Sequence, residues 1–185
     1  GGDRSLAVFD WSAGTTRQRL EPDDIRKGIL VAEGALGLSA RPAGGAIVEA
    51  DGALRRIDGS GALGPRFAEG VVRWASSPRG RVVVERSVGG RVVLELLARD
   101  GSTLWSRPRG GPSARLALSE DGSTIATLTE SGELSRWEAT AGRCRTTAPM
   151  GVPLPYRLLA LSATGERVAL ADAGGRLHVY LFGAD

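Results

Sequence analysis

Apolar and β-branched residues gather along the chain in runs of four to seven, bounded by glycine, proline, aspartate or serine. No long stretch keeps the 3.6-residue period of an amphipathic helix, so the runs predict short strands joined by tight turns. The pattern is clearest over 116–119 (LALS), a turn at Asp121-Gly122, 125–128 (IATL), a turn at Ser131-Gly132 and 134–137 (LSRW), with 143–147 as an outer strand. The next unit copies it with 159–162, Thr164-Gly165, 168–170, Gly174-Gly175 and 177–182. The preceding one has 75–78, 82–84 and 92–97, then Asp100-Gly101 and a strand around Leu104-Trp105. Glycine recurs at these turns because tight hairpins need a positive φ that a side chain resists. The earliest unit is the loosest: Pro42 stands where the others place Gly80, Gly122 and Gly165, and Gly44-Gly45 moves the turn by two residues. Only 22–30 departs from the strand pattern. Pro22, Asp23 and Asp24 before Ile25 suit the first turn of a short helix, and a solvated loop fits them equally.

Two landmarks turn these runs into a repeat. Ser39 and Gly52, Ser77 and Gly90, Ser119 and Gly132, and Ser162 and Gly175 are each thirteen residues apart, and the serines recur at intervals of 38, 42 and 43. A four-stranded propeller blade takes roughly 40 to 45 residues. The spacing therefore predicts an all-β chain, a β-propeller of four-stranded antiparallel blades, with blades at 35–68, 69–111 and 112–150 and an incomplete last blade at 151–185. Residues 1–20 read as the end of a truncated blade and 21–34 as a linker or short helix.

Residues 1–10 and 131–142 (SGELSRWEATAG) resemble the WD-repeat family, whose blades close with an aromatic–acidic pair before a glycine turn; Phe9-Asp10 and Trp137-Glu138 occupy that pair. No histidine precedes the first strand of any unit, so the family's Asp-His-Ser-Trp hydrogen-bonding set is not expected. Residues 97–105 resemble instead the blade endings of quinoprotein-type propellers. Aligning Leu6 with Leu134, each eight residues before a glycine, places the first residues in a third strand. The strand count then comes to seventeen, one more than four whole blades hold. The expectation is a partial ring of about four to four and a half blades, completed by another chain or segment, because an open end exposes strand edges and apolar faces. The resemblance implies the C-terminal part of a larger signalling or defence protein.

Composition removes most chemistry. The chain has 185 residues, 42% of them hydrophobic, enough for a core without staples. One cysteine, Cys144, excludes an internal disulfide and multi-cysteine zinc patterns. One histidine, His178, excludes a histidine pair for a metal, and its alternation with apolar neighbours over 177–182 marks it as a strand residue. Cys144 lies between Arg143 and Arg145, yet without a partner base it reads as a strand cysteine. There is no glycine-rich phosphate loop with its lysine. No catalytic residue, cofactor or metal is expected. All but one of the 24 basic residues are arginine, Lys27 being the exception, so codon bias accounts for part of the +3 net charge. No apolar run approaches the roughly 20 residues that span a bilayer, which leads to the expectation of a soluble, cytoplasmic protein without a membrane partner.

Propellers bind through loops at the ends of their axis. The leading expectation is a non-enzymatic protein-interaction scaffold or sensor whose working turns carry Arg41, Pro42, Pro78, Arg79, Glu120, Asp121 and Thr164. Its partners would be a protein and the remaining blades of the ring. A second reading uses arginines at spacing two on outer strands: Arg17 and Arg19, Arg107 and Arg109, Arg143 and Arg145. Period two puts each pair on one sheet face, where it would form a rim for nucleic acid or another polyanion, with Trp11 or Trp105 stacking bases. The same arginines would also guard edge strands against aggregation. A third reading is a fragment of a quinoprotein-like enzyme. Trp74, Trp105 and Trp137 are expected to wedge between blades as core.

Overall fold

The computed structural model describes residues 6–10, 15–20, 35–40, 46–50, 52–57, 63–150, 156 and 158–182. Residues 22–30, read as either a short helix or a loop, lie outside them. Two strands, β1 (Leu6–Asp10) and β2 (Thr15–Leu20), pair antiparallel as a sheet of their own. Three four-stranded sheets follow. The first holds β3 (Ala35–Ala40), β4 (Ala46–Ala50), β5 (Ala53–Ile57) and β6 (Leu63–Glu69). The second holds β7 (Val71–Ser76), β8 (Val82–Val88), β9 (Arg91–Leu97) and β10 (Thr103–Arg109), and the third β11 (Arg115–Leu118), β12 (Thr124–Leu128), β13 (Glu133–Glu138) and β14 (Arg143–Pro149). The last has three: β15 (Leu158–Leu161), β16 (Arg167–Ala171) and β17 (Leu177–Leu181). Within each sheet the strands lie side by side in chain order and pair antiparallel, and no helix occurs among the described residues. The expected all-β class of repeated antiparallel sheets is therefore what the chain adopts.

The sheets stack face to face. Val82 and Val84 of β8 pack with Ile47, Leu54 and Ala68 of the sheet before, while Val83 packs with Leu94, Leu96, Ile125 and Ala139 toward the sheet after. Strands covered on both faces do not alternate apolar with polar: β8 opens on the buried run Val82–Val84, and β12 is buried along its whole length, with Thr124 and Thr127 among its apolar residues. Ala126, Leu128 and Leu134 make the third joint with Tyr156, Val168 and Leu170. Each fully buried valine, leucine or isoleucine contributes about 1.5–3 kcal/mol.

The tryptophans close these joints. Trp105 on β10 is 9% exposed and donates its indole N–H to the carbonyl of Ala139 in the next sheet at 2.6 Å. Gly142 lies against its ring, where a β-carbon would fall 2.6 Å from Cδ2. Trp74 donates to Glu49 of the preceding sheet at 2.7 Å. The first strands of the last three sheets adjoin, since β11 lies against both β7 and β15. Fourth strands are outermost, and β14 is exposed along its whole length.

Candidate interaction surface

The turns between first and second strands are built alike in three successive sheets. Ser77, Ser119 and Ser162 each open one, and the amides of Gly80, Gly122 and Gly165 donate back to the respective serine carbonyl at 2.9 Å. These turns are tied to one another: Arg81 Nη1 donates to the carbonyl of Gly122 at 3.0 Å, and the amide of Asp121 donates to the carbonyl of Ala163 at 3.0 Å. Close approach explains the glycines at 122 and 165. A β-carbon on Gly122 would sit 3.3 Å from Ser77 Oγ, and one on Gly165 would run into Thr124, at φ values of 72° and 75° that already disfavour a side chain.

Between the linked turns lies a hollow of about 270 Å3, lined by Pro78 and Arg79, Glu120 and Asp121, and Ala163 and Thr164, two residues from each sheet. Asp121 sets its shape. Its carboxylate accepts from Ser119 Oγ at 2.7 Å, from the amide of Ser123 at 2.9 Å and from Ser123 Oγ. Burial works against the charge, but these hydrogen bonds and the nearby Arg79 outweigh it and hold the Asp121 carboxyl below the usual aspartate range. Glu120 is exposed beside it.

Thr164 also borders a second hollow of about 330 Å3 that runs outward and includes Thr124, Arg136, Glu138, Arg145 and Glu166. Glu138 accepts from Thr140 at 3.0 Å and from Arg145 Nε at 2.9 Å, and these two partners depress its pKa. The two hollows share Thr164 as a lining residue, and charges of both signs border them. Among the described residues no group of three or more histidine, cysteine, aspartate or glutamate side chains could hold a metal ion.

Five of the seven turn residues singled out from the sequence, Pro78, Arg79, Glu120, Asp121 and Thr164, thus line one hollow. Arg41 and Pro42 lie outside the described residues. The arginine pairs behave differently. Arg17 and Arg19 are on β2, and Arg143 and Arg145 on the exposed β14. Arg109, at the end of β10, is no rim residue: its side chain is 9% exposed, donates to Thr127 Oγ1 of the next sheet at 2.8 Å, lies 5.4 Å from the Trp137 ring centroid, and pairs with the fully buried Glu85 at 3.7 Å. Arg107 donates to the carbonyls of Gly142 and Ala141 at 3.2 and 3.3 Å. The physical reason is that the following sheet overlaps β10, so both guanidiniums donate to it, Arg107 from an exposed position and Arg109 from a largely buried one that also meets Glu85 of its own sheet.

Sequence reasoning missed that joint. Glu85 also accepts from the amide and hydroxyl of Ser113 at 2.9 and 2.6 Å. A carboxylate inside the apolar run VVVE was the available signal. His178 lies 3.4 Å from Asp172 through Nε2, with Tyr156 edge-on and Tyr180 stacked on its ring. Cys144 is a free, exposed thiol on β14.

No family model matches the sequence, and a search of curated proteins finds no match. Solved structures do resemble it. Hsv2 of Kluyveromyces marxianus superposes with a TM-score of 0.66 at 11% identity, covering 99% of this chain and 55% of that one. Hsv2 of Kluyveromyces lactis, with its loop 6CD complete, gives 0.64 at 15% identity, covering 99% and 56%. The chain folds as consecutive blades of a β-propeller. The four sheets from β3 onward are its blades, and the chain spans a little over half the length of these propellers. No helix among the described residues is long and apolar enough to cross a membrane.

Proposed function

We propose that this chain is a non-enzymatic interaction module, a WD-repeat-like section of a larger signalling or defence protein that holds a protein partner on the turns at one end of the blades. The observation that carries this reading is the convergence of turns from three successive blades on a single hollow, whose Thr164 also borders a second one. Rigid sheets that present a cluster of loops are the usual platform for recognition. The mixed charges of Arg79 and Glu120 at the first hollow and of Arg136 and Glu166 at the second suit an extended peptide carrying both signs.

The WD-type reading has its own support. In the third blade Trp137 donates to Thr127 Oγ1 at 3.2 Å, and Arg109 donates to the same oxygen from just before the blade. Arg109 stands there in place of the family's histidine. The second blade has Val84 and Leu97 at the corresponding positions and the last has Leu170 and Tyr180, so of these three blades only the third carries the polar set. A reducing cytoplasm suits the exposed free thiol of Cys144.

The test is selection of peptides from a random display library on the full chain, followed by Arg79→Glu, Glu120→Lys and Thr164→Trp. Selected peptides should lose binding by about tenfold or more for at least two of the three, with unchanged circular dichroism. Peptides that ignore all three changes but respond to Arg143→Ala and Arg145→Ala, with affinity falling steeply in salt, would refute the reading in favour of polyanion binding through the outer strand.

A further inference from the structure

The trailing face of the last blade differs from its counterparts in the two blades before it. Across the second blade Ala75, Val83 and Leu96 stand in register; across the third Ala117, Ala126 and Arg136; across the last Ala160, Ala169 and Val179. One step along, Leu94, Leu134 and Leu177 correspond. In the first two cases the following blade covers the face, leaving Leu94 and Val83 0% exposed, Leu134 4% and Ala126 0%. In the last blade Leu177 is 66% exposed and Val179 60%, and Leu158 and Leu181 are exposed beside them. The outer edge is open too: β9 and β13 pair with a fourth strand, whereas β17 pairs only with β16 among the described strands.

We infer that β17 and the Leu158–Leu177–Val179 face are the docking site for the next blade of the same ring: a strand that pairs antiparallel with β17, followed by a sheet that covers the face. Three observations select this occupant. The equivalent face is a blade–blade joint at each earlier place in the repeat, so the surface continues an interface already made twice. The strands β1 and β2 pair with each other and not with β17. The chain aligns almost completely with propellers of which it covers 55–57%, so those rings hold further blades beyond its equivalent part.

The chemistry of the incoming sheet follows from the joint before it. There the small Ala117 and Ala126 belong to the face that receives the bulky Val168 and Leu170. Ala160 and Ala169 repeat these two small residues in register, and Ala171 is small where the third blade has Leu128. The incoming second strand should therefore carry large aliphatic residues where β16 carries Val168 and Leu170, since alanines leave room that only bulk fills.

The experiment supplies such a blade. A copy of residues 139–185, which provides the fourth strand and then a sheet, is appended after residue 185, and amide hydrogen exchange is followed in the original β17. Exchange there should slow by at least about tenfold relative to the unextended chain. Leu177→Asp with Val179→Asp in the original copy should abolish the protection, while leaving the melting temperature of the unextended chain unchanged because both side chains are exposed. Unaltered exchange in β17, or an appended copy that stays unfolded, would overturn the inference. So would self-association of the unextended chain at micromolar concentration with the same protection of β17, since the occupant would then be a second copy.

Discussion

Replacing Arg109 by methionine should unfold the joint between the second and third blades at a cost well above that of an ordinary surface change. Glu85 is fully buried, and Arg109, at 3.7 Å, is the cation paired with it; the Ser113 amide and hydroxyl remain when the guanidinium is gone. Removing one partner of a buried ion pair costs about 3–5 kcal/mol because the other charge is left without compensation. The lost hydrogen bond to Thr127 and the cation–π contact with Trp137 are smaller contributions, about 1 kcal/mol each. Against a total stability of about 5–15 kcal/mol the loss is large. Glu85→Leu should cost a similar amount, because it strands the guanidinium instead. The double variant Glu85→Leu/Arg109→Met should lose less than either single one, as apolar side chains fill the space both charges leave. Urea denaturation followed by tryptophan fluorescence and circular dichroism measures all four corners of the cycle. Additive losses, or a loss below about 1 kcal/mol for Arg109→Met, would refute the assignment of the pair as a buried clasp.

Three further outcomes follow from the geometry. Trp105→Phe keeps most of the ring packing but leaves the buried carbonyl of Ala139 without its donor, so stability should fall by about 1–3 kcal/mol in the same urea titration. Gly165→Ala should lower the melting temperature more than Gly175→Ala: both have positive φ, but a β-carbon at 165 strikes Thr124 whereas at 175 it meets nothing within 4 Å. Asp121 and Asp172 have carboxyls held below the ordinary aspartate value, the second chiefly by the amide of Arg176 despite some burial, with further help from His178. Their stabilisation is present above the ordinary pKa of about 4 and is lost as the pH falls through the lower folded value, so Asp121→Asn should lower the melting temperature at neutral pH and make little difference near about pH 2.

The turn residues of the first hollow were legible in the sequence because turn chemistry is local. Ser119, Asp121 and Gly122 announce a tight turn through short-range hydrogen bonds that hold wherever that turn is placed. Their meeting with Pro78 and Thr164 was legible only as an expectation of the propeller pattern. What joins them, Arg81 reaching the carbonyl of Gly122 and Asp121 reaching that of Ala163, depends on how far one blade is rotated against the next. Arg109 marks the other limit. Period two correctly put it on the same face as Arg107, but a charged residue on an outer strand reads as solvated, and only the overlap of the third blade buries it against Glu85.

The sequence alone determined the strands, their turns and the length of the repeating unit, since backbone conformation and the alternation of side chains between two sheet faces are properties of a few neighbouring residues. Tertiary structure decided which faces are covered. Leu134 and Leu177 occupy the same place in the same repeat, yet one is 4% exposed and the other 66%. Burial belongs to a pair of sheets whose residues lie about forty positions apart, and nothing within either unit says whether its neighbour is there.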